Sequence, residues 1–110
     1  MRPVLVTAVS ADKDASAIAA ALVPEVSAVI ATRYQQERSL APLELADVFR
    51  AAGMHADTAP DLQTALALAR TKGSPVLIAG SLFLVGEARA RYLGAPADPV
   101  IVSDPVSPPR

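Results

Sequence analysis

The apolar positions of this chain switch between short continuous runs and helical spacing. Residues 4–9 (Val-Leu-Val-Thr-Ala-Val) are a largely β-branched run without polar alternation, the mark of a strand buried on both faces. Asp12 or Asp14 is placed to cap a helix through Ala15, Ile18, Ala19 and Leu22, which Pro24 ends. Residues 26–32 read as a second strand and residues 33–41 as a polar loop. Pro42 stands as a first helical residue, and Leu43, Leu45, Ala46, Val48, Phe49 and Ala52 outline one helix face. Gly53 then supplies the left-handed residue that closes this helix. A short strand at 55–58 follows, and Asp61 caps a helix carrying Leu62, Ala65, Leu66 and Ala69, ended by Lys72-Gly73. Residues 75–80 are the clearest strand of all. Ser81 opens a last helix through Leu82, Val85, Ala88, Arg89 and Tyr92, which Gly94 closes.

Continuous apolar strands alternating with helices need cover on both faces. The order therefore predicts an α/β fold: an open, mostly parallel, doubly wound (Rossmann-like) sheet of about four to five strands. Beyond Gly94, Pro96, Pro99, Pro105, Pro108 and Pro109 mark a tail in which Val100-Ile101-Val102 can pair as an edge strand. The domain is thus expected over 1–94 and the tail over 95–110. Four short strands make a thin core, and the first strand begins almost at Met1. The sequence reads as the later part of a larger domain that lacks its first β-α unit.

Composition narrows the chemistry. Hydrophobic residues are 52% of the 110 and charged residues 19%, as in a core-forming chain. Ten basic against eleven acidic residues give a net charge of −1, without the clustered cation that nucleic acid or an anionic membrane attracts. There is no cysteine and a single histidine, His55, which removes disulfides, thiolate chemistry and a histidine-rich zinc site. Aromatics, at 4%, are too few for a base-stacking platform. The apolar run after Met1-Arg2-Pro3 is too short for a secretory leader and is interrupted by Asp12-Lys13-Asp14. No window approaches the ~18 apolar residues of a spanning helix. The expectation is a cytoplasmic protein.

In open α/β sheets, ligands gather beyond the carboxyl ends of the strands. Those ends carry residues 10–14, 32–38, 58–61 and Gly80-Ser81. Gly80 permits close backbone approach, and Ser81 sets a hydroxyl beside free helix N–H groups, a combination suited to a carboxylate or phosphate. The same serine also reads as an ordinary helix cap. Asp12, Lys13 and Asp14 either line the crevice or serve as two capping acids and a solvated lysine. Arg33 and Arg38 have the guanidinium that grips carboxylates, although loop arginines are commonly just solvated. His55 and Asp57 lack a serine partner, so a catalytic triad is not expected. There is neither a G-x-G-x-x-G fingerprint nor a phosphate loop.

In order, the apolar strand into Asp12-Lys13-Asp14, the strand into Arg38-Ser39-Leu40 with its following helix, and the stretch Val76-Leu77-Ile78-Ala79-Gly80-Ser81-Leu82-Phe83-Leu84-Val85-Gly86-Glu87-Ala88-Arg89 form one pattern. It resembles the C-terminal, glutamate-ligase domain of folylpolyglutamate synthase/dihydrofolate synthase, in the Mur ligase superfamily. The likeness runs over 3–93. It departs where Ala8 replaces a usual glycine and Glu37 a frequent proline before Arg38, and the family's Gly-Lys-Ser/Thr loop and Asp-Gly-Ala-His-Asn-Pro segment do not occur.

The resemblance implies ATP-dependent amide formation between a folate carboxylate and the amine of L-glutamate. ATP and magnesium are then held mainly by a partnering N-terminal ATPase domain, outside this sequence. It implies glutamate binding by Ser81, Gly80 and, less directly, Arg38. Asp12, Lys13 and Asp14 face the nucleotide and the cleft between domains, and no residue here is a proton-transfer catalyst. The contrasting expectation is a stand-alone, non-catalytic α/β module that binds a small anion or another protein. A receiver-like signalling domain fits less well, since the last strand lacks the expected lysine.

Overall fold

The computed structural model describes residues 2–34, 39–80 and 100–101. The elements, in chain order, are β1 (Val4–Ala8), α1 (Ala15–Leu22), a 3-10 turn (Val23–Glu25), β2 (Ala28–Ala31), α2 (Pro42–Ala51), β3 (Ala56–Thr58), α3 (Leu62–Arg70), β4 (Val76–Gly80) and β5 (Val100–Ile101). The helix expected from Ser81 lies outside the described residues.

Each helix begins and ends for a local reason. The Asp14 side chain accepts a hydrogen bond from the Ala17 N–H at 3.1 Å and so caps α1, whose alanines favour the helix. Asp61 caps α3 in the same way through the Thr64 N–H at 2.7 Å. Pro42 opens α2, where its missing N–H has no cost. At the far end of α2, Gly53 takes φ +88°, the Gly53 N–H bonds Arg50 O, and the Met54 N–H bonds Phe49 O. Those two reversed bonds are a Schellman closure, which a left-handed residue makes possible.

The strands form one five-stranded parallel sheet in the order β3-β2-β1-β4-β5. All of β1 is buried, as its unbroken apolar run requires. Val4, Val6 and Ala8 face α3, joining Ile30, Ile78, Leu62, Ala65 and Leu66 in one core. Leu5 and Val9 face the other way, into a core with Ile18 and Leu22 of α1 and Leu45, Ala46 and Phe49 of α2. From β1 the chain steps to β2 and β3 with α1 and α2 on one face. It then doubles back under α3 to place β4 on the far side of β1. That reversal of direction makes the sheet doubly wound and places its topological switch point between the carboxyl ends of β1 and β4.

Two details depart from the sequence reading. β2 is shorter than expected because Val26 ends the 3-10 turn, its N–H bonded to Val23 O. Tyr34 is fully buried rather than part of a solvated loop. Val100–Ile101 form the expected edge strand beside β4, paired with Leu77 and Ile78. At the opposite edge, Arg50 Nε and Nη2 both donate to the outward carbonyl of Ala56, at 3.2 and 2.8 Å, while Nη1 reaches Asp47 at 3.0 Å. This guanidinium occupies an acceptor that an edge strand otherwise offers to a second chain.

The hydroxyl of Thr7 is buried in the middle of the sheet and has no hydrogen-bond partner among the described residues. Such a group keeps its desolvation cost of about 1–3 kcal/mol with nothing to offset it. Thr7→Val should therefore raise stability by about 1 kcal/mol, read as a higher urea midpoint at unchanged slope. A lower midpoint would show that the hydroxyl has a partner.

Candidate functional site

The residues singled out from the sequence divide by their position at the carboxyl end of the sheet. Beyond β1 the chain makes a turn closed by the Lys13 N–H donating to Ser10 O at 3.0 Å. This turn displays Asp12 and Lys13 to solvent. Asp14 is exposed as well, but one of its carboxylate oxygens is committed to the α1 cap. The helix N-terminus behind it thus already carries a negative group, which answers its dipole and discourages a second anion there. Gly80 ends β4 beside Ala8, in register with the end of β1, so the Gly80 end and the 10–14 turn flank the same crevice. Ser81 and Arg38 lie outside the described residues.

The segment after β2 is tied across the end of β1. The Thr32 N–H donates to Thr7 O at 2.9 Å, and the Leu40 N–H to Val9 O at 2.8 Å. Ser10 and Ser39 form an antiparallel bridge. Beneath it the Ser10 hydroxyl meets the Tyr34 hydroxyl at 2.6 Å. Ser10, Tyr34 and Ser39 were not among the site residues expected from the sequence. The signal was present: Ile30, Thr32 and Tyr34 continue a period of two beyond the strand, which places Tyr34 on the same face as Ile30.

His55 and Asp57 stand away from this end, on the outer edge strand. Asp57 Oδ2 is 3.2 Å from Lys72 Nζ and 3.5 Å from His55 Nε2. Desolvation pushes the Asp57 carboxyl upward, but the hydrogen bond and charge of Lys72, aided by His55, outweigh it. The group titrates below its ordinary value of 3.8. No serine belongs to this set, which is an ion-pair cluster bracing β3 to the end of α3. Among the described residues no three His, Cys, Asp or Glu side chains gather as a metal site. No helix among them is long and apolar enough to cross a membrane.

Fold and site together define a doubly wound α/β unit whose switch point, between β1 and β4, lies beside the exposed Asp12 and Lys13. No family model matches the chain, and no curated protein does. Solved structures do. Mycobacterium tuberculosis folylpolyglutamate synthase complexed with ADP superposes with a TM-score of 0.63 and 26% identity, over 93% of this chain and 20% of the synthase. The same enzyme, in structures with ADP and AMPPCP, gives a TM-score of 0.63 and 27% identity over 94% of this chain and 20% of that one. The fold is therefore folylpolyglutamate-synthase-like, and the chain spans a fifth of the length of those synthases.

Two outcomes are expected. Asp14→Ala should cost about 1 kcal/mol through the lost cap, whereas Asp12→Ala should cost less than about 0.5 kcal/mol, both by urea denaturation. Equal costs would contradict the assignment of Asp14 as the cap. For Asp57 the sign follows from its lowered value. Its contribution, less than about 1 kcal/mol for so exposed a pair, is complete above the unfolded value of 3.8 and is lost as pH falls through the lower folded value. Asp57→Asn should flatten that acid limb of stability against pH. An unchanged limb would show that Asp57 is not coupled to folding.

Proposed function

We propose that this chain is the C-terminal, glutamate-ligase part of an ATP-dependent folate–glutamate ligase: a tetrahydrofolate synthase of the folylpolyglutamate type, with dihydrofolate synthase activity as a variant. The observation that carries this reading is the match to M. tuberculosis folylpolyglutamate synthase over nearly the whole chain, at 26% identity and a TM-score of 0.63. It agrees with the independent motif resemblance around Gly80-Ser81. On this reading 1–94 form the domain, 95–110 form a proline-rich tail, and the protein works in the cytoplasm.

The role of the chain is positioning. Gly80 and Ser81 hold the incoming glutamate, and Arg38 meets one of its anionic groups. Asp12, Lys13 and Asp14 face the cleft in which a second domain presents the nucleotide and its magnesium. ATP phosphorylates the folate carboxylate, releasing ADP, and the amine of glutamate then displaces phosphate and loses a proton as the amide forms. Closure of the two parts supplies alignment and excludes water, which is where most of the rate in such transfers originates.

A chimera tests this. With this chain in place of the matching fifth of the M. tuberculosis synthase, glutamate addition to a reduced folate should be restored, while the 110-residue chain alone should turn over nothing. Ser81→Ala in the chimera should raise the glutamate KM about tenfold, the loss of one hydrogen bond to a charged group. An inactive chimera that is folded and binds ATP would contradict the reading, and an unchanged KM would contradict the role of Ser81.

A further inference from the structure

Strand β3 ends the sheet: among the described residues no strand lies beyond it. Its ladder to β2 includes bonds from the Val29 N–H to His55 O and from the Ala59 N–H to Ala31 O. The main-chain groups of 55, 57 and 59 thus turn inward, and strand alternation turns the N–H and C=O of Ala56 and Thr58 outward. Outward groups on an edge strand are a template for a second chain. One of them is taken. Arg50, in the last turn of α2, donates to Ala56 O from Nε at 3.2 Å and from Nη2 at 2.8 Å, while Nη1 is held by Asp47 at 3.0 Å. A planar guanidinium gripped on both sides keeps one orientation, and here it covers the carbonyl.

The occupant this edge fits is a second copy of the same strand. Two copies related by a two-fold axis run antiparallel there. The register that engages every outward group sets Ala56 of one copy against Thr58 of the other. Each such pair exchanges two bonds, Ala56 N–H to Thr58 O and Thr58 N–H to Ala56 O, and the axis repeats the pair. Half of these bonds end on Ala56 O. On the axis itself the two Asp57 side chains meet, and like charges placed opposite one another oppose pairing. That guard is blunted, because each Asp57 carboxylate already has Lys72 Nζ at 3.2 Å and His55 Nε2 at 3.5 Å within its own chain. Thr58 is exposed and carries no charge. What protects the edge is its length of three residues and the Arg50 contact.

We propose that Arg50 is a plug on the β3 edge: it keeps a second copy of this chain from adding strand to strand, and without it two copies pair antiparallel through Ala56 and Thr58. The inference goes beyond the ligase reading and does not rest on it.

Sedimentation equilibrium of the 110-residue chain tests this. The wild type should sediment as a monomer, and Arg50→Ala should self-associate at least about tenfold more tightly, through the acceptors released at Ala56. Arg50→Lys, which keeps the charge but has no fork, should lie between the two. Thr58→Pro removes an outward N–H that the ladder to β2 does not use, so adding it to Arg50→Ala should restore the monomer. In the associated Arg50→Ala chain, hydrogen exchange should slow at the amides of Ala56 and Thr58 and stay unchanged at 10–14. A folded Arg50→Ala chain that stays monomeric at every concentration would overturn the proposal, as would association that survives Thr58→Pro. So would a wild type that pairs through β3 as tightly as the variant. If circular dichroism shows that neither Arg50 variant folds, the contact is a requirement of the fold and not a plug, and the proposal is again overturned.

Discussion

Burial of β1 on both faces is the constraint from which the rest of the structure follows. A central parallel strand cannot leave either side to water, because its apolar residues alternate into two cores. One face takes α1 and α2 and the other takes α3, and a single chain can meet both demands only by reversing its direction across the sheet. That reversal sets β4 beside β1 and opens their carboxyl ends to a ligand. The site is thus a consequence of how the core is covered.

The two ends of the structure are treated differently. At the β3 edge, Arg50 holds the outward carbonyl of Ala56, and Lys72 and His55 hold Asp57, so polar groups are paired within the chain. At the carboxyl end of β1, Asp12 and Lys13 remain exposed. Polar capacity is spent where pairing with another chain would be harmful and kept where a ligand or a second domain is expected.

Much of this architecture was legible from local patterns. Asp61 as a cap, Pro42 as a first helical residue and Gly53 as a left-handed stop each depend on neighbours within about four residues, and each stands as the sequence suggested. The parallel, doubly wound class followed from the alternation of elements and the continuous apolar strands, whereas the order β3-β2-β1-β4-β5 was not read from the sequence. The role of Asp14 was left open between cap and crevice, and its bond to the Ala17 N–H shows the cap. The Ser10–Tyr34 contact and the Ser10–Ser39 bridge were not legible, because they join residues far apart in sequence and a polar stretch such as 33–41 gives no period to follow. Only the continued alternation from Ile30 to Tyr34 pointed inward.

We propose the carboxyl end of β1 and β4 as the working face, closed against a nucleotide-bearing domain. Hydrogen exchange on this chain, with and without the ADP-loaded remainder of the M. tuberculosis synthase, reads that face directly. The account predicts slowed exchange at 10–14 and 39–41 and no change at 55–58. Protection at 55–58 with none at 10–14 would contradict it.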